Sequence, residues 1–470
     1  MTGKRKIILY NPHAVFFTMP LGLMAVGSNL DPEKYEVIIV DARLEADALT
    51  ALLHDLDDAL LLGVTILTGA PLQDALKTIR AVKKQYPDLP VVCGGWHPSL
   101  FPREMLAESG VDYVVQGQGE GTFAELVDCL AEEGPVGNVA GVTYRVDRHP
   151  VSTKPRPLTD PESFRPVDYS LIPVERYFHL KGVRQLDYIS SIGCHFRCAF
   201  CADPFVYQRA WKALSPTRIG EDLEFLWRQY QFTDLNFQDE TFFTRKKRII
   251  GLTEEILKRD LHFSWAATMR ADQGVRLTDE VFGQCVASGL RRVLIGVESG
   301  NPEMLLRIRK DTSLDQIIES AEMCVRHGVA VIFSFIVGFP GESASQIQDT
   351  LNFASRLRSM SPKFETPIFY YKPYPGSDLA DTAELSIPTT LDEWAEFDYV
   401  QGKAGPWVDQ ATYRLVECYK FYNHLAWGGA RPLWLKPLQW LSRLRCHSNY
   451  FAFPFEKTVS SRFRRPPRLS

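Results

Sequence analysis

Residues 192–201 read IGCHFRCAFC, and this stretch decides how the rest of the chain is interpreted. Cys194, Cys198 and Cys201 place three thiols within eight residues, which favours a metal site. A structural zinc site would need a fourth ligand and usually pairs its cysteines in Cys-x2-Cys knuckles. His195 lies inside the loop, where it is poorly placed to complete a tetrahedron. The spacing therefore predicts an iron–sulfur cluster with one iron left open to an exogenous ligand.

The composition is that of an ordinary globular protein. The chain has 470 residues, 45% of them hydrophobic and 23% charged, enough for two or three cored domains. Its net charge of −4 gives no basic field, so we expect no nucleic-acid partner. The nine cysteines are scattered outside the triplet, and no signal segment or long apolar run is evident. These features predict a reducing, cytoplasmic location.

Residues 6–140 alternate short apolar runs with helical stretches. Strands are predicted at residues 7–10, 37–40, 60–65, 91–94 and 113–115. This order predicts an α/β domain, a doubly wound, flavodoxin-like (Rossmann-like) parallel sheet. Ligands of such sheets bind beyond the carboxyl ends of the strands. Glycine-containing loops follow three of the runs, at residues 65–69, 94–97 and 117–121.

Two of these loops resemble elements of the cobalamin-binding domain, whose pattern is D-x-H-x-x-G, then S-x-L, then G-G. Thr65-Ile66-Leu67 matches the second element with Thr for Ser, and Gly94-Gly95 matches the third. By this resemblance the residues that contact cobalamin are Thr65, Leu67, Thr68, Gly69, Gly94, Gly95, Gly117, Gly119 and Glu120. The alternative is a flavodoxin-like domain that binds another cofactor or none.

The first element of the cobalamin pattern is degraded. Asn11-Pro12-His13 keeps the histidine but loses the aspartate and the glycine. In the family this histidine is the lower ligand of cobalt, so His13 is the candidate; a lone loop histidine is more often an ordinary surface or packing residue. Relatives that hold cobalamin without it carry a P-x-G-L-like segment, as in residues 20–23 here.

The Cys-x3-Cys-x2-Cys spacing, with Phe200 before the last cysteine, resembles the signature of the radical S-adenosylmethionine (SAM) superfamily. The resemblance implies a 4Fe–4S cluster on Cys194, Cys198 and Cys201 and a partial (β/α)6 TIM-type barrel. Its strands are predicted at residues 186–191, 234–240, 262–268, 292–300, 331–342 and 369–377. The tyrosines of the last strand are expected to face the substrate cavity, although core packing is the more frequent fate of such aromatic residues.

The same resemblance names the residues expected to bind SAM: Phe200, Asp239, Glu240, Arg270, Glu298, Ser299, Ile336, Gly338 and Pro340. Asp239 or Glu240 would accept hydrogen bonds from the SAM ammonium, although Asp239 could instead cap a helix. Arg270 would lie near the SAM carboxylate. For Arg309-Lys310, a solvated basic pair is favoured over a SAM or substrate contact by Lys310.

The C-terminal region, residues 386–470, is predicted to be mainly helical and to close the substrate cavity. Residues 431–470 hold nine Lys or Arg against the single acid Glu456, interleaved with tryptophan and leucine. Such a basic amphipathic segment could rest on the inner membrane and meet a lipid or pigment substrate. A solvated tail packed by its own aromatics is the slightly favoured alternative.

The predicted organisation is a cobalamin-binding domain (1–141), a Pro-rich connector (142–185), a radical SAM barrel (186–385) and the variable region (386–470). This order is that of cobalamin-dependent radical SAM enzymes, which include methylases and the anaerobic magnesium-protoporphyrin ester cyclase. The resemblance implies cleavage of SAM to a 5'-deoxyadenosyl radical, hydrogen abstraction and methylation of an unactivated carbon through methylcobalamin. Two alternatives are a cobalamin-assisted cyclisation, oxidation or rearrangement, and a non-catalytic sensor or electron carrier. An external donor such as flavodoxin or ferredoxin would supply electrons.

Overall fold

Each of the five apolar runs near the N-terminus forms a strand in the computed structural model of the protein. The strands are β1 (Arg5–Asn11), β2 (Tyr35–Asp41), β3 (Ala59–Thr65), β4 (Val91–Gly94) and β5 (Tyr113–Val115). They are parallel in the order β2-β1-β3-β4-β5, which confirms the flavodoxin-like sheet. The helices between them are α1 (Leu21–Ser28), α2 (Ala48–Asp55), α3 (Ala70–Gln85), α4 (Trp96–Leu100) and α5 (Pro102–Ala107), and α6 (Gly119–Ala131) follows β5.

The structure describes residues 3–374, 376–382, 387–397, 404–427, 435–451, 454 and 456–457. The chain divides into two compact units. The first comprises Met1–Ala267 and Pro373–Tyr399, and the second comprises Thr268–Lys372 and Val400–Ser470. Each predicted domain is one continuous segment of the sequence, whereas each unit consists of two segments, and the predicted boundaries remain predictions. Among the described helices, none has the length and apolar character needed to cross a bilayer.

The predicted connector holds short elements. An antiparallel hairpin, β6 (Val142–Val146) and β7 (His149–Ser152), extends the sheet at its β5 edge. Pro150 is tolerated there because β7 is the outermost strand. A 3-10 helix at Val136–Asn138 precedes the connector; after the hairpin come 3-10 helices at Pro161–Ser163 and Tyr169–Leu171 and then α7 (Val174–Lys181). The buried Tyr169 donates to the Asp187 carbonyl over 2.6 Å, so the connector is packed in place.

The remainder of the first unit's main segment begins the predicted barrel. Its elements are β8 (Gln185–Tyr188), β9 (Ser191–Gly193), α8 (Asp203–Val206), β10 (Trp211–Ala213), α9 (Pro216–Tyr230), β11 (Asp234–Phe237), α10 (Lys246–Lys258) and β12 (Ser264–Met269). Strand β11 pairs in parallel with β8 and β12. Strands β9 and β10 form an antiparallel hairpin that holds the cysteine loop.

The second unit is built around β14. The elements from α11 onward are α11 (Ala271–Arg276), α12 (Asp279–Ala287), β13 (Leu290–Glu298), α13 (Pro302–Arg307), α14 (Leu314–Arg326), β14 (Ala330–Val337), α15 (Ala344–Met360), β15 (Phe364–Glu365) and β16 (Ile368–Tyr370). Strand β14 pairs in parallel with β13, β15 and β16. Phe333, Phe335 and Val337 are fully buried while the residues between them are half-buried, so one face of β14 forms the core.

The last helices are α16 (Asp378–Thr382), α17 (Leu391–Ala395), α18 (Gln410–Trp427) and α19 (Lys436–Ser448). Both α16 and α17 belong to the first unit, and α18 and α19 belong to the second. All six strands predicted for the barrel are therefore present, as β8, β11, β12, β13, β14 and β16. Tyr371, just after β16, is only 2% exposed, which bears out core packing for this tyrosine.

Candidate active site

The cysteine triplet lies in the loop between β9 and β10. Gly193 ends β9 with a φ of +84°, and a Cβ atom there would come within 2.3 Å of the Ala210 carbonyl oxygen. Only glycine lets the hairpin close at this point, directly before Cys194. The Cys201 N–H donates to the Cys198 carbonyl over 3.2 Å and turns the end of the loop.

The chemistry of the three thiols fits an iron–sulfur cluster. Burial raises the pKa of Cys201 well above its usual value, and the sulfurs of Cys198 and Cys194 are close enough to contribute. A bound cationic metal centre would reverse this effect, because thiolates are the ligand form of cysteine. Among the described residues, no three His, Cys, Asp or Glu side chains already stand in metal-binding geometry. Cluster ligation by this triplet therefore stays a prediction, as does SAM contact by the half-buried Phe200.

Two adjacent carboxylates follow β11, and the structure separates their roles. Asp239 is 1% exposed and accepts hydrogen bonds from the Ser190 N–H and hydroxyl, both at 2.7 Å, and from the Ser191 hydroxyl. Arg248 lies 3.8 Å away. Asp239 thus braces the segment leading into β9, and it caps no helix, because the next helix begins at Lys246.

Glu240 points into a cavity instead. Its Oε2 accepts the Gly193 N–H over 3.2 Å, and no Lys or Arg of the described chain forms an ion pair with it. Burial, with Asp203 nearby, raises the pKa of Glu240 to about 8. A buried carboxyl group without a cation fits an ammonium ligand, which would restore its charge. Of the two predicted carboxylates only Glu240 lines this cavity, and its contact with SAM stays a prediction.

The cavity next to Glu240 lies in the first unit and has a volume of about 1000 Å³. Seven of the nine residues predicted to contact cobalamin line it: Thr65, Leu67, Gly94, Gly95, Gly117, Gly119 and Glu120. Gly95 has a φ of +95°, and a Cβ atom there would stand 3.0 Å from the Thr65 hydroxyl and 3.1 Å from the Ile66 nitrogen. Glycine at this position thus lets the two loops pack together, and the glycine loops form a cradle on the cavity wall, which fits a large planar cofactor. Residues 20–23 line the same cavity.

Thr68 and Gly69, the other two residues predicted to contact cobalamin, contact groups of the protein instead. The Thr68 hydroxyl lies 3.0 Å from Nδ1 of His97, and the Gly69 N–H donates to the Trp394 carbonyl over 3.1 Å. Neither residue lines the cavity. His97 is fully buried, packed against Phe101 and Trp394 with ring centroids 5.1 and 6.2 Å away. Thr68 and Gly69 therefore anchor α17 beside the cobalamin loops, and their contact with the cofactor stays a prediction.

His13 is exposed, and its N–H donates to Asp74 over 2.9 Å. It does not line the cavity, whereas its neighbours Pro12 and Ala14 do. The structure therefore gives no support to His13 as a cobalt ligand, and that assignment stays a prediction.

Two aromatic residues on the cavity wall were missed from the sequence. Trp96 follows the Gly94-Gly95 pair, and Tyr207 follows α8; their rings meet edge-on at 5.8 Å. Tyr207 precedes a turn in which Gln208 and Arg209 both have positive φ angles, 52° and 56°. Two such residues in succession are uncommon without glycine. Only the closeness of Trp96 to the glycine pair could have signalled this pairing.

In the second unit, Glu298 at the end of β13 forms a buried ion pair with Lys310. The Oε1–Nζ distance is 2.8 Å, and each residue is 6% exposed. A Cβ atom on Gly296 would lie 2.3 Å from Glu298 Oε1, so glycine is needed beneath the pair. Arg309 is exposed as expected, but the solvated basic pair is wrong for Lys310, since α13 returns it to the end of β13.

Arg270 and Ser299 are also held by neighbours within this unit. The Arg270 guanidinium donates to the Lys310 carbonyl over 2.6 Å and pairs with Asp272 at 2.9 Å. The Ser299 hydroxyl lies 3.1 Å from that of Thr350. Contact of Arg270, Glu298 and Ser299 with SAM remains a prediction, but all three are buried and fixed in orientation.

The turn after β14 carries the predicted adenine contact. Gly338 has a φ of +76°, and its N–H and that of Phe339 donate to Glu342 at 2.6 and 3.1 Å. The Gly338 carbonyl accepts the indole N–H of Trp407 over 2.7 Å. Burial raises the pKa of Glu342 to about 7. Ile336 is half-buried and Pro340 is buried at the two ends of this turn.

Comparison with known proteins agrees with this layout. Residues 188–354 match the radical SAM superfamily, and residues 10–127 match the B12 binding domain. The chain is 30% identical over 382 residues to an uncharacterized methyltransferase of Pyrococcus horikoshii, covering 80% of this chain and 81% of that one. This protein belongs to the cobalamin-dependent radical SAM family.

Further similarities extend over most of this radical SAM enzyme. It is 25% identical over 347 residues to the anaerobic magnesium-protoporphyrin IX monomethyl ester cyclase of Rubrivivax gelatinosus, covering 72% of this chain and 61% of that relative. The fold matches that of the radical S-adenosylmethionine methyltransferase TsrM from Kitasatospora setae with a TM-score of 0.73 and 17% identity, covering 98% and 99% of the two chains. The α/β class with an N-terminal cobalamin domain and a following radical SAM domain is thereby confirmed.

Family membership also identifies the cofactors. A radical SAM domain uses SAM with a 4Fe–4S cluster, and a B12 binding domain takes cobalamin. The predicted cofactor set is therefore confirmed, and the residues described above fit it. The thiols suit iron, Glu240 suits an ammonium, and the glycine cradle suits a corrin.

Proposed function

We propose that this enzyme methylates an unactivated carbon of a small molecule, using SAM and cobalamin. One observation carries the proposal: the cavity lined by the cobalamin loops is also lined by Glu240, the candidate ligand of the SAM ammonium. A substrate in this cavity would meet both cofactors. The similarity to a methyltransferase of P. horikoshii supports methyl transfer over the alternatives. A lipid or pigment is the substrate class we favour, by the similarity to the magnesium-protoporphyrin ester cyclase of R. gelatinosus.

The protein would contribute binding, orientation and exclusion of water. When bound, the cluster and SAM supply a 5'-deoxyadenosyl radical that removes a substrate hydrogen, and cobalamin supplies the methyl carrier. Cys194, Cys198 and Cys201 would hold the cluster, and Glu240 would orient the SAM amino group. Gly94, Gly95 and the loop Gly117–Glu120 would let backbone approach the corrin ring. No side chain is required as a nucleophile.

The test begins with anaerobic reconstitution with iron, sulfide and hydroxocobalamin, followed by SAM and dithionite. We expect 5'-deoxyadenosine from the reconstituted protein even without substrate. Cys198→Ala should abolish this product, because a cluster needs all three thiolates. Cys129→Ala, at a half-buried cysteine outside the loop, is the matched control and should cleave SAM normally.

Candidate substrates then distinguish the reactions. Methylation predicts S-adenosylhomocysteine and 5'-deoxyadenosine together, with a methylated product. Cyclisation, oxidation or rearrangement, as in the R. gelatinosus cyclase, would give 5'-deoxyadenosine without matching S-adenosylhomocysteine. A protein that binds the cofactors but never cleaves SAM under strong reduction would be a sensor or electron carrier. Either of the last two results would contradict the proposal.

The electrons would come from an external donor such as a flavodoxin or a ferredoxin, because reductive cleavage of SAM consumes an electron that the cluster must receive. We place the enzyme in the cytoplasm, where its nine cysteines would stay reduced. Dithionite-independent turnover with reduced flavodoxin would test the donor.

A further inference from the structure

We infer that the outer face of α19 is a docking surface for an anionic lipid membrane. The evidence lies in the second unit and does not depend on the reaction proposed above. Helix α19 (Lys436–Ser448) buries one side, where Ser442 and Cys446 are 0% exposed. The Cys446 carbonyl accepts the Ser355 hydroxyl of α15 over 3.3 Å, which fixes the helix against the unit. Its other side is exposed in the described part of the chain, apart from contacts of Arg443 with the Ala426 carbonyl and of His447 with Trp427.

The outward side forms one stripe, which we call the α19 face. It consists of Lys436, Trp440, Arg443, Leu444 and His447, all exposed. At 3.6 residues per turn these five positions fall within about 100° of arc. Trp440 is 64% exposed and Leu444 is 44% exposed, so the stripe combines large apolar side chains with cations.

The charge of this face is uncompensated. Residues 435–451 contain no Asp or Glu. Neither Lys436 nor Arg443 forms an ion pair with any acid in the described part of the chain. Arg445, on the inner side, is the cation that pairs with Glu456, at 3.5 Å. The positive charge of the α19 face is therefore available to an external anion, although the chain as a whole carries −4.

An anionic bilayer fits this combination best. Tryptophan prefers the interface of a bilayer, where its ring is buried and its N–H stays hydrated. Lys and Arg beside it gain from the negative surface potential of anionic lipids. Tyr450, 63% exposed just beyond the helix, adds a second aromatic residue of this kind. The helix would lie in the plane of the interface and would not cross it.

A second copy of the chain fits less well. A symmetric contact through this face would oppose Lys436 and Arg443 of one copy to the same residues of the other. Juxtaposed like charges oppose association, and two large apolar side chains are too few to offset them.

Vesicle flotation of the full-length protein tests the inference. We expect binding to vesicles of three parts phosphatidylcholine and one part phosphatidylglycerol, and little binding to phosphatidylcholine alone. The double variant Lys436→Glu/Arg443→Glu should bind the anionic vesicles at least about tenfold more weakly. Trp440→Ser/Leu444→Ser should weaken binding to a similar degree. All four side chains are exposed, so circular dichroism should not change; Arg443 Nε donates to the Ala426 carbonyl over 3.1 Å, so the melting temperature of the charge variant should fall by no more than the loss of one net hydrogen bond.

Matched controls make each change specific. Lys247→Glu/Lys258→Glu changes two exposed lysines of α10 and so has the same net charge as the α19 charge variant. Leu306→Ser removes an apolar side chain that is 79% exposed on α13, and it is the control for Trp440→Ser/Leu444→Ser. Both should bind like the wild type.

Three outcomes would overturn the inference. The first is equal binding of the wild type to neutral and anionic vesicles, or none to either. The second is binding that survives both α19 variants but is lost when Arg462, Arg464, Arg465 and Arg468 are neutralised. The third is that the α19 variants bind vesicles like the wild type but lose RNA binding or self-association, as measured by sedimentation.

Discussion

At the scale of single residues, His97 has the least common environment. It is 0% exposed, and in the described structure the only hydrogen-bonding neighbour of its imidazole ring is the Thr68 hydroxyl. Burial lowers the pKa of His97 from 6.5 to about 4. The imidazole is therefore neutral in the folded protein at pH 5 to 7, whereas in the unfolded chain it takes up a proton below about pH 6.5.

A pH dependence of stability follows. Between pH 6.5 and 4 the unfolded state binds more protons at this site than the native state, so stability rises with pH and levels off above 6.5. At pH 5 the loss attributable to His97 should be about 2 kcal/mol relative to pH 7. Thermal unfolding of the wild type and of His97→Gln across this range would measure it. The two pH profiles should converge at low pH, and parallel profiles would contradict the assignment.

The sequence predicted the residue types of the site but not the partners that each side chain has in the fold. It predicted both Asp239 and Glu240 as SAM ligands, because adjacent carboxylates after a strand look equivalent in a sequence. Their difference arises from Ser190 and Ser191, about fifty residues earlier, which bind Asp239 alone. Lys310 was misjudged for the same reason, since its partner Glu298 is brought to it only by the folding of α13. Local pattern reveals a side chain's chemistry, while its partners depend on tertiary contacts.

At the scale of elements, the turn after β14 is held on both sides. Glu342 accepts the Gly338 N–H and Trp407 donates to the Gly338 carbonyl. A Cβ atom on Gly338 would lie 2.8 Å from Val408, so residues 407–408 pack closely on the turn. We predict that Trp407→Phe weakens SAM binding about three- to tenfold, the effect of one net hydrogen bond. The rate of SAM cleavage at saturating SAM should change little.

The measurement is SAM affinity by calorimetry on the reconstituted enzyme, together with amide hydrogen exchange of residues 336–342. Exchange there should speed up in Trp407→Phe, because the turn loses a constraint. Trp440→Phe, the same substitution at an exposed position, is the control. If the wild type binds SAM and Trp407→Phe binds it equally well, the turn does not position SAM. If the wild type itself fails to bind SAM, the proposed function is wrong.

Elements with strong apolar patterns were predictable, and weakly patterned ones were not. The five parallel strands of the cobalamin domain are continuous apolar runs, as buried parallel strands must be. The hairpin β6–β7 was absorbed into the connector, because Pro150 and the charged residues around it read as a loop. The hairpin β9–β10 was missed because each strand has three residues, too few for any periodicity.

At the scale of the whole molecule, the linear order of domains was readable, but the compact units were not. Residues Pro373–Tyr399 belong to the first unit although about a hundred residues of the second unit precede them. Trp394 connects this segment to the rest of the first unit. Its carbonyl accepts the Gly69 N–H, and its ring packs on His97 and Phe101. Trp394 is buried whereas Trp440 of the same region is 64% exposed, and nothing in the sequence distinguishes the two or identifies the partners of Trp394.

The large cavity of the first unit leads to a prediction about cobalamin and stability. The cavity has a volume of about 1000 Å³ and is lined by the glycine loops and by apolar residues. None of the three loop cysteines is among its lining residues. A ligand that fills it should stabilise the native state by mass action, by about 2.7 kcal/mol at one hundred times its dissociation constant. The first melting transition should then rise by about 5 °C or more with hydroxocobalamin.

Cys198→Ala should keep this rise, since it removes the cluster and leaves the cavity intact. Gly95→Ala should lose most of it, because a Cβ atom would press on Thr65 and Ile66 at a φ of +95°. A rise that disappears in Cys198→Ala, or persists in full in Gly95→Ala, would mean that cobalamin binds elsewhere.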